Sequence, residues 1–313
     1  MRRAQAVCME DDPERTRVVV VLNPVSGRGS GAANLARLRK SLARACDESR
    51  FSVEMVETRG PGDGARCARD AAESGASIVA AAGGDGTISE VVNGLVGTGA
   101  TLAVLPLGTG NDFARHLGLG TDLELAVQTI FHGAPQALDL GQVQGRWFHN
   151  VAGCGFDAAV AARVNRGFRF FRGRSAYIVA VLQCLLTYRA VPMRITVDGE
   201  RFERRAMLCS VANTSTYGGG MRIAPDAVID DGLFDIVLLA DVGAIEFIRA
   251  FPSVFKGAHT THPKVTMLRG QHVLIETDAP APVLVDGEVV GTTPVEFVIY
   301  PHVLNVLVPS IRT

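Results

Sequence analysis

The chain is almost without lysine: only Lys40, Lys256 and Lys264 stand among its 31 basic residues, and the rest are arginines. Coding bias accounts for most of this, although arginine also suits bidentate contact with phosphate better than lysine does. Net charge is −1 at pH 7, so the basic field that nucleic-acid binding needs is missing and nucleic acid is not expected as a partner. Six cysteines are scattered with no C-x-x-C pair. That spacing excludes zinc and dithiol frameworks and implies free buried thiols in a reducing compartment. Met1 to Arg15 is polar and charged, without the apolar core of a secretory signal. The longest greasy run, Tyr177 to Leu186, is interrupted by Gln183 and falls short of the ~20 residues a spanning helix needs. A cytoplasmic protein able to touch a membrane surface is therefore expected. No G-x-x-x-x-G-K-[ST] loop occurs, nor the H-R-D and D-F-G pair of protein kinases. Any nucleotide must be held by glycine turns and arginines.

What is present is enough chain for two cores: 313 residues, 47% of them apolar, with a mean hydropathy of +0.21. The first half alternates strands and helices. Arg17 to Leu22, Phe51 to Glu57, Ser77 to Ala82 and Leu102 to Leu105 read as strands. Ala32 to Cys46, Gly62 to Ser74, Ile88 to Leu95, Asp112 to Leu117 and Leu123 to Phe131 read as helices. That rhythm gives an α/β domain with an open, mostly parallel sheet, whose ligands lie at the carboxyl ends of the strands. From about Ala137 short strands and Asp-Gly turns dominate, as in an antiparallel β-sandwich domain. The expected division is 16–136 and 137–299. The closing 300–313, with Leu304 to Val308, either returns to the first domain or does not.

Gly83-Gly84-Asp85-Gly86-Thr87 follows the third strand. Such a turn lets backbone amides close on an oxyanion while holding a carboxylate in the same pocket, and phosphate beside an acid calls for a cation, usually Mg²⁺. Asn23-Pro24-Val25-Ser26-Gly27 follows the first strand and Pro106 to Asn111 the fourth, so three turns fall on one sheet edge. Asp85 is a metal ligand or proton acceptor in one reading and a turn-stabilising acceptor in the other. Asn111 and Asp112 either cap the helix that starts before Phe113 or serve the site.

These three segments, the third extended to Arg115, resemble the diacylglycerol kinase catalytic domain, whose superfamily includes sphingosine and ceramide kinases and bacterial soluble lipid kinases. Asn150-x-x-x-x-Gly155-x-Asp157-Ala158, Gly218-Gly219-Gly220, Asp231-Gly232 and Asp286-Gly287-Glu288 extend the resemblance towards the C-terminus. It implies an ATP-dependent lipid kinase acting on diacylglycerol or a related lipid. ATP would lie on Asn23, Pro24, Ser26, Gly27, Thr58, Gly83, Gly84, Asp85, Gly86, Thr87, Glu90, Gly108, Thr109 and Asn111. Mg²⁺ would bridge the phosphates to Asp85 and Asp112. In the bacterial branch the position of Glu288 is the general base; sphingosine kinases give that role to the Asp of the glycine turn. Glu288, flanked by Val285, Val289 and Val290, is expected in apolar surroundings that raise its pKa. Asp286 is either part of the site or hairpin chemistry alone. The resemblance also implies a structural Mg²⁺ loop, with ligands from the Asp231 carboxylate and the carbonyls of Val228 and Leu233; a solvated turn is the alternative.

His259 and His262 read as surface or loop histidines. Arg163, Arg166, Arg169, Arg172 and Arg174, interleaved with Phe168, Phe170 and Phe171, form either a solvated basic segment or a surface pressed onto anionic lipid. Phe247 to Phe255 offers a second greasy contact. NAD kinase, which shares the Gly-Gly-Asp-Gly-Thr turn, and a catalytically silent lipid-binding module are the rival functions. A homodimer is left open.

Overall fold

The computed structural model describes residues 15–27, 31–165 and 174–310. The chain divides into two compact units: the described residues up to Leu140 and again from Pro301, and Gly141–Tyr300.

The first unit contains β1 (Thr16–Leu22), α1 (Gly31–Ala45), β2 (Phe51–Glu57), α2 (Asp63–Glu73), β3 (Ile78–Gly83), α3 (Asp85–Leu95), β4 (Thr101–Pro106), α4 (Asp112–His116) and α5 (Leu123–His132). Its sheet runs β2-β1-β3-β4, all parallel. The strands read as near-continuous apolar runs because helices cover a parallel sheet on both faces; Val18–Leu22 and Ile78–Gly83 are buried throughout. The chain leaves β1 for β2 on one side and crosses back to β3 on the other. The order therefore reverses between β1 and β3, which is where open α/β sheets bind ligands. The last strand returns here: Val306 pairs in parallel with Leu102 of β4.

The second unit follows the end of β5 (Ala134–Val143) with β6 (Arg146–Phe148), β7 (Val151–Gly155), α6 (Phe156–Asn165), α7 (Arg174–Thr187), β8 (Val191–Val197), β9 (Glu200–Ala212) and β10 (Phe234–Ala240). It continues with α8 (Ala244–Ala250), β11 (Val265–Gly270), β12 (His272–Thr277), β13 (Pro282–Val285), β14 (Glu288–Thr292) and the first part of β15 (Val295–Val308). Its strand pairs are antiparallel. One half of the long β9 pairs with β8, the other with β7 and β10. Phe148 stacks on Phe234 at 5.6 Å and meets Phe297 edge-on at 6.1 Å at the centre of the core. The helices α6–α8 were not expected in a strand-rich half. They exist because Ala-rich α6 and the greasy run inside α7 pack with Met207, Leu208 and Val242 into a second apolar cluster. Among the described residues no helix is long and apolar enough to cross a membrane.

Candidate active site

The registers Leu22↔Ala82, Leu22↔Glu57 and Gly83↔Pro106 bring the strands of the first unit to a common carboxyl edge. There the three glycine turns touch. Asn23 N donates to Ala82 O at 3.0 Å and Asn23 Nδ2 to Thr87 Oγ1 at 3.0 Å, tying the turn after β1 to that after β3 across the reversal. Leu107 N donates to Gly83 O at 2.9 Å. A Cβ on Gly108 would lie 2.4 Å from the Cα of Gly84, so position 108 needs glycine for the turns to meet, whereas a Cβ on Gly84 would make a tight contact of 3.3 Å with the Cα of Gly108.

Helix α3 begins at Asp85, earlier than its apolar spacing indicated, with extended Gly84 as its N-cap. The glycine turn is thus a strand end running straight into a helix, and the first amides of α3 present partial positive charge at the sheet edge. The Asp85 carboxylate accepts from Asn111 N and Asp112 N, both at 2.8 Å. It stabilises the start of α4 rather than its own turn. Asn111 caps nothing with its side chain. At φ 53° it clamps Gly108, accepting from its N–H and donating to its carbonyl, both at 3.0 Å. Asp112 is 4% exposed. A Cβ on Gly110 would lie 2.6 Å from Asp85 Oδ2 and 3.6 Å from Asp112 Oδ2, so both carboxylates face one small space. Two hard oxygen donors beside backbone amides fit a magnesium–phosphate complex.

The other expected contacts divide. Asn23 Oδ1 accepts from Val25 N at 3.1 Å and Asn23 O from Ser26 N at 3.2 Å, which shapes the Pro24–Gly27 turn; Gly27 has φ 80°. Thr58 is buried at the end of β2, with its N–H on Leu22 O at 2.8 Å. Gly86 lies in the first turn of α3 and Thr109 in the β4–α4 turn. Glu90 points elsewhere: its oxygens accept from Gly62 N at 2.7 Å and Gly64 N at 2.8 Å and hold the start of α2.

In the second unit, Asp286 is more than hairpin chemistry. Its backbone has the φ of 47° that an Asp-Gly turn requires, and its side chain is 1% exposed. The carboxylate meets His149 Nδ1 at 2.9 Å and accepts from His149 N at 3.2 Å and Asn150 N at 3.0 Å. Burial pushes this carboxyl up, but the charge and hydrogen bonds of His149, with the Asn150 amide, outweigh it and hold Asp286 below its ordinary value. Glu288 lacks the apolar surroundings expected from its valine neighbours. Its side chain is 55% exposed and pairs with Arg146 at 2.7 Å. Side chains alternate along β14, so neighbours in sequence do not share its face.

At the implied Mg²⁺ loop, Asp231 Oδ1 accepts from Leu233 N at 3.1 Å while Oδ2 is ion-paired with Arg269. The guanidinium also lies 3.5 Å from Asp235. Burial raises the Asp235 carboxyl, Arg269 lowers it, and Asp231 and Asp226 raise it further. Val228 is exposed. Among the described residues no group of three or more His, Cys, Asp or Glu side chains could hold a metal ion. A cation here would depend on carbonyl ligands and would face Arg269.

His259 and His262 are not simple surface residues. Both line a cavity; His259 Nε2 lies 3.0 Å from Ile223 O, and His262 Nε2 lies 3.6 Å from Glu246. Within Phe247–Phe255, Phe247 packs on Phe156 at 5.1 Å and stacks on Phe251 at 5.5 Å, leaving Phe255 exposed. Of the arginine–phenylalanine stretch, Arg163 bonds Gln183 at 2.9 Å and Arg174 opens α7, whereas Arg166 to Arg172 lie outside the described residues. Two buried groups gave no clear signal in sequence. His149 has only an unremarkable Phe-His-Asn context, and Asp157 stood inside a quoted motif without a role.

The diacylglycerol kinase catalytic domain matches residues 17–143, and the YegS C-terminal NAD kinase beta sandwich-like domain matches 150–308. The diacylglycerol kinase of Bacillus subtilis is 33% identical over 298 residues, covering 94% of this chain and 97% of that protein. The diacylglycerol kinase of Mycobacterium tuberculosis is 35% identical over 304 residues, covering 94% and 95%. A crystal structure from Bacillus anthracis, described as a candidate diacylglycerol kinase, superposes with a TM-score of 0.77 at 25% identity, covering 95% of this chain and 99% of that one. Matched over nearly its whole length by these proteins, the chain belongs to the diacylglycerol kinase family.

Proposed function

We propose that the chain is a lipid kinase that transfers the γ-phosphoryl group of ATP to the hydroxyl of diacylglycerol or a closely related lipid. The observation that carries this reading is the convergence of three glycine turns on one sheet edge, with Asp85 and Asp112 facing a single space beside Gly110. The amides of the turns and of α3 receive the phosphate oxygens, and Asn23, Thr87 and Asn111 keep the turns in register. When bound, Mg²⁺ neutralises phosphate charge, and Asp85 and Asp112 are the residues that would hold it. Positioning and charge neutralisation supply most of the catalysis, because phosphoryl transfer needs little covalent help. Glu288 is the acceptor of the lipid proton in this reading, since its carboxylate is exposed and, among the described residues, is paired with Arg146 alone. Asp85, already committed to the amides of Asn111 and Asp112 at the start of α4, is the less available base. The exposed Leu182, Leu186, Ile245, Ile248 and Phe255 of the second unit support transient contact with a membrane from the cytoplasmic side.

The test is transfer of label from γ-labelled ATP in the presence of either NAD or vesicles containing diacylglycerol. Label is expected in the lipid phase, as a phosphomonoester. Label in the dinucleotide would make the protein an NAD kinase, a reading that the second domain's match keeps in view. Lipid uptake without ATP consumption would make it a silent lipid-binding module.

A further inference from the structure

Glu288 occupies the first position after the Asp286–Gly287 turn, opposite Val285, and Arg146 the first position after the Gln144–Gly145 turn, opposite Val143. Both turns hold their central residues at positive φ, 47° and 87° in one and 49° and 77° in the other, as tight two-residue hairpins require. The two hairpins lie against each other. A Cβ on Gly291 would come within 3.0 Å of Gln144 Oε1, and Arg146 Nη2 donates to Glu288 Oε2 at 2.7 Å. Beyond Arg146 the strand β6 is fixed from both faces: Trp147 meets Tyr300 edge-on at 5.1 Å, while Phe148 is buried in the core. The chain after β6 then grips the other turn. Asp286 N donates to Val151 O at 3.0 Å, and the Asp286 carboxylate is bound by His149 and the Asn150 amide.

The Arg146–Glu288 pair does little for stability, because both side chains are partly solvated and such ion pairs contribute little. What it fixes is direction. A glutamate on a solvated strand turns freely about its side-chain bonds, and an arginine mounted on a rigid hairpin removes that freedom before substrate arrives. The contact is one nitrogen to one oxygen: among the described residues Oε2 takes the guanidinium and Oε1 takes no hydrogen bond. We propose that Arg146 is a positioning residue, holding Oε2 so that Oε1 is presented to the lipid hydroxyl. The inference rests on the reading of Glu288 as the proton acceptor. In the step it serves, the hydroxyl proton passes to Oε1 and the hydroxyl oxygen bonds the γ-phosphorus. The bond from that phosphorus to the β-phosphate oxygen breaks, and ADP leaves with the electron pair. Orientation of this kind acts on kcat, since a misplacement of about 1 Å costs roughly a hundredfold.

The test measures kcat and KM with γ-labelled ATP and diacylglycerol vesicles for Arg146→Gln, Arg146→Lys, Glu288→Gln and the double variant Arg146→Gln/Glu288→Gln. Arg146→Gln is expected to lower kcat about tenfold or more, with KM for ATP and the melting temperature unchanged. Arg146→Lys should restore most of that loss, because a contact to a single oxygen needs a cation and not a fork. In the Glu288→Gln background, itself slower by about a hundredfold or more, Arg146→Gln should cost no more than about twofold. Crystals should show the Glu288 carboxylate in one rotamer in the wild-type chain and in several in Arg146→Gln, whether or not lipid is turned over. Near-normal kcat in Arg146→Gln would overturn the positioning role alone, as would an equal loss with Glu288 already replaced, a loss carried by KM for ATP, or a single unchanged rotamer. Near-normal kcat in Glu288→Gln would instead remove the proton-acceptor reading, and with it anything for Arg146 to position.

Discussion

Replacing Asp85 by asparagine keeps the shape of the side chain but removes the charge that faces the amides of Asn111 and Asp112. The cap on α4 should weaken by about 1 kcal/mol, read as a modest fall in melting temperature. Turnover should fall at least about a hundredfold. A fall in stability with near-normal turnover would leave Asp85 as a cap and nothing more. Asp157 and Asp286 respond to pH in opposite senses. The Asp157 carboxyl, raised from 3.8 to about 6, takes up its proton more readily folded than unfolded. Its contribution therefore falls as pH rises from about 4 to about 6 and stays low above that range. Asp157→Asn should stabilise the protein at pH 7.5 by up to ~3 kcal/mol, with the gain lost below about pH 4. The folded Asp286 carboxyl is lowered, so its stabilisation is present above the unfolded value of 3.8 and is lost as pH falls through the lower folded one. Removing its partner with His149→Leu leaves a buried charge unpaired and should cost about 3–5 kcal/mol by urea denaturation. A change below 1 kcal/mol would show that the pair carries little.

At the scale of elements, the junction of the β3 and β4 turns is the most constrained point of the first unit. Gly108→Ala would drive a methyl group into Gly84 and force the two turns apart. Nucleotide affinity, measured by equilibrium titration, should fall by about tenfold or more, while the far β2 edge of the sheet is unaffected. Unchanged affinity would mean that the turns do not act together. The strands and helices of this unit were legible because apolar periodicity and glycine punctuation are local signals. Their long-range consequences were not. Nothing near Glu90 in sequence announces that it holds the first turn of α2, and nothing near Asp85 announces that it caps α4. Glu288 misled for a related reason: flanking valines describe burial only when they share a face, and along a strand they do not.

At the scale of the whole molecule, the division into an α/β unit and an antiparallel unit followed from the change in texture near Ala137, and the return of the C-terminus is seen in the pairing of Val306 with Leu102. Ending the chain at Tyr300 strips from β4 its parallel neighbour on the side away from β3, so the first unit should lose cooperativity in thermal unfolding. Unaltered unfolding would make that strand dispensable. The helices α6–α8 were invisible beforehand because their stability comes from the cluster they form with β9, not from a strong helical pattern of their own. The most direct test of the central claim is a crystal structure grown with Mg²⁺ and a non-hydrolysable ATP analogue. The expected result places the triphosphate against the amides following β1, β3 and β4, with the metal ion touching Asp85 or Asp112. A triphosphate bound anywhere else, with that edge bare, would contradict the account.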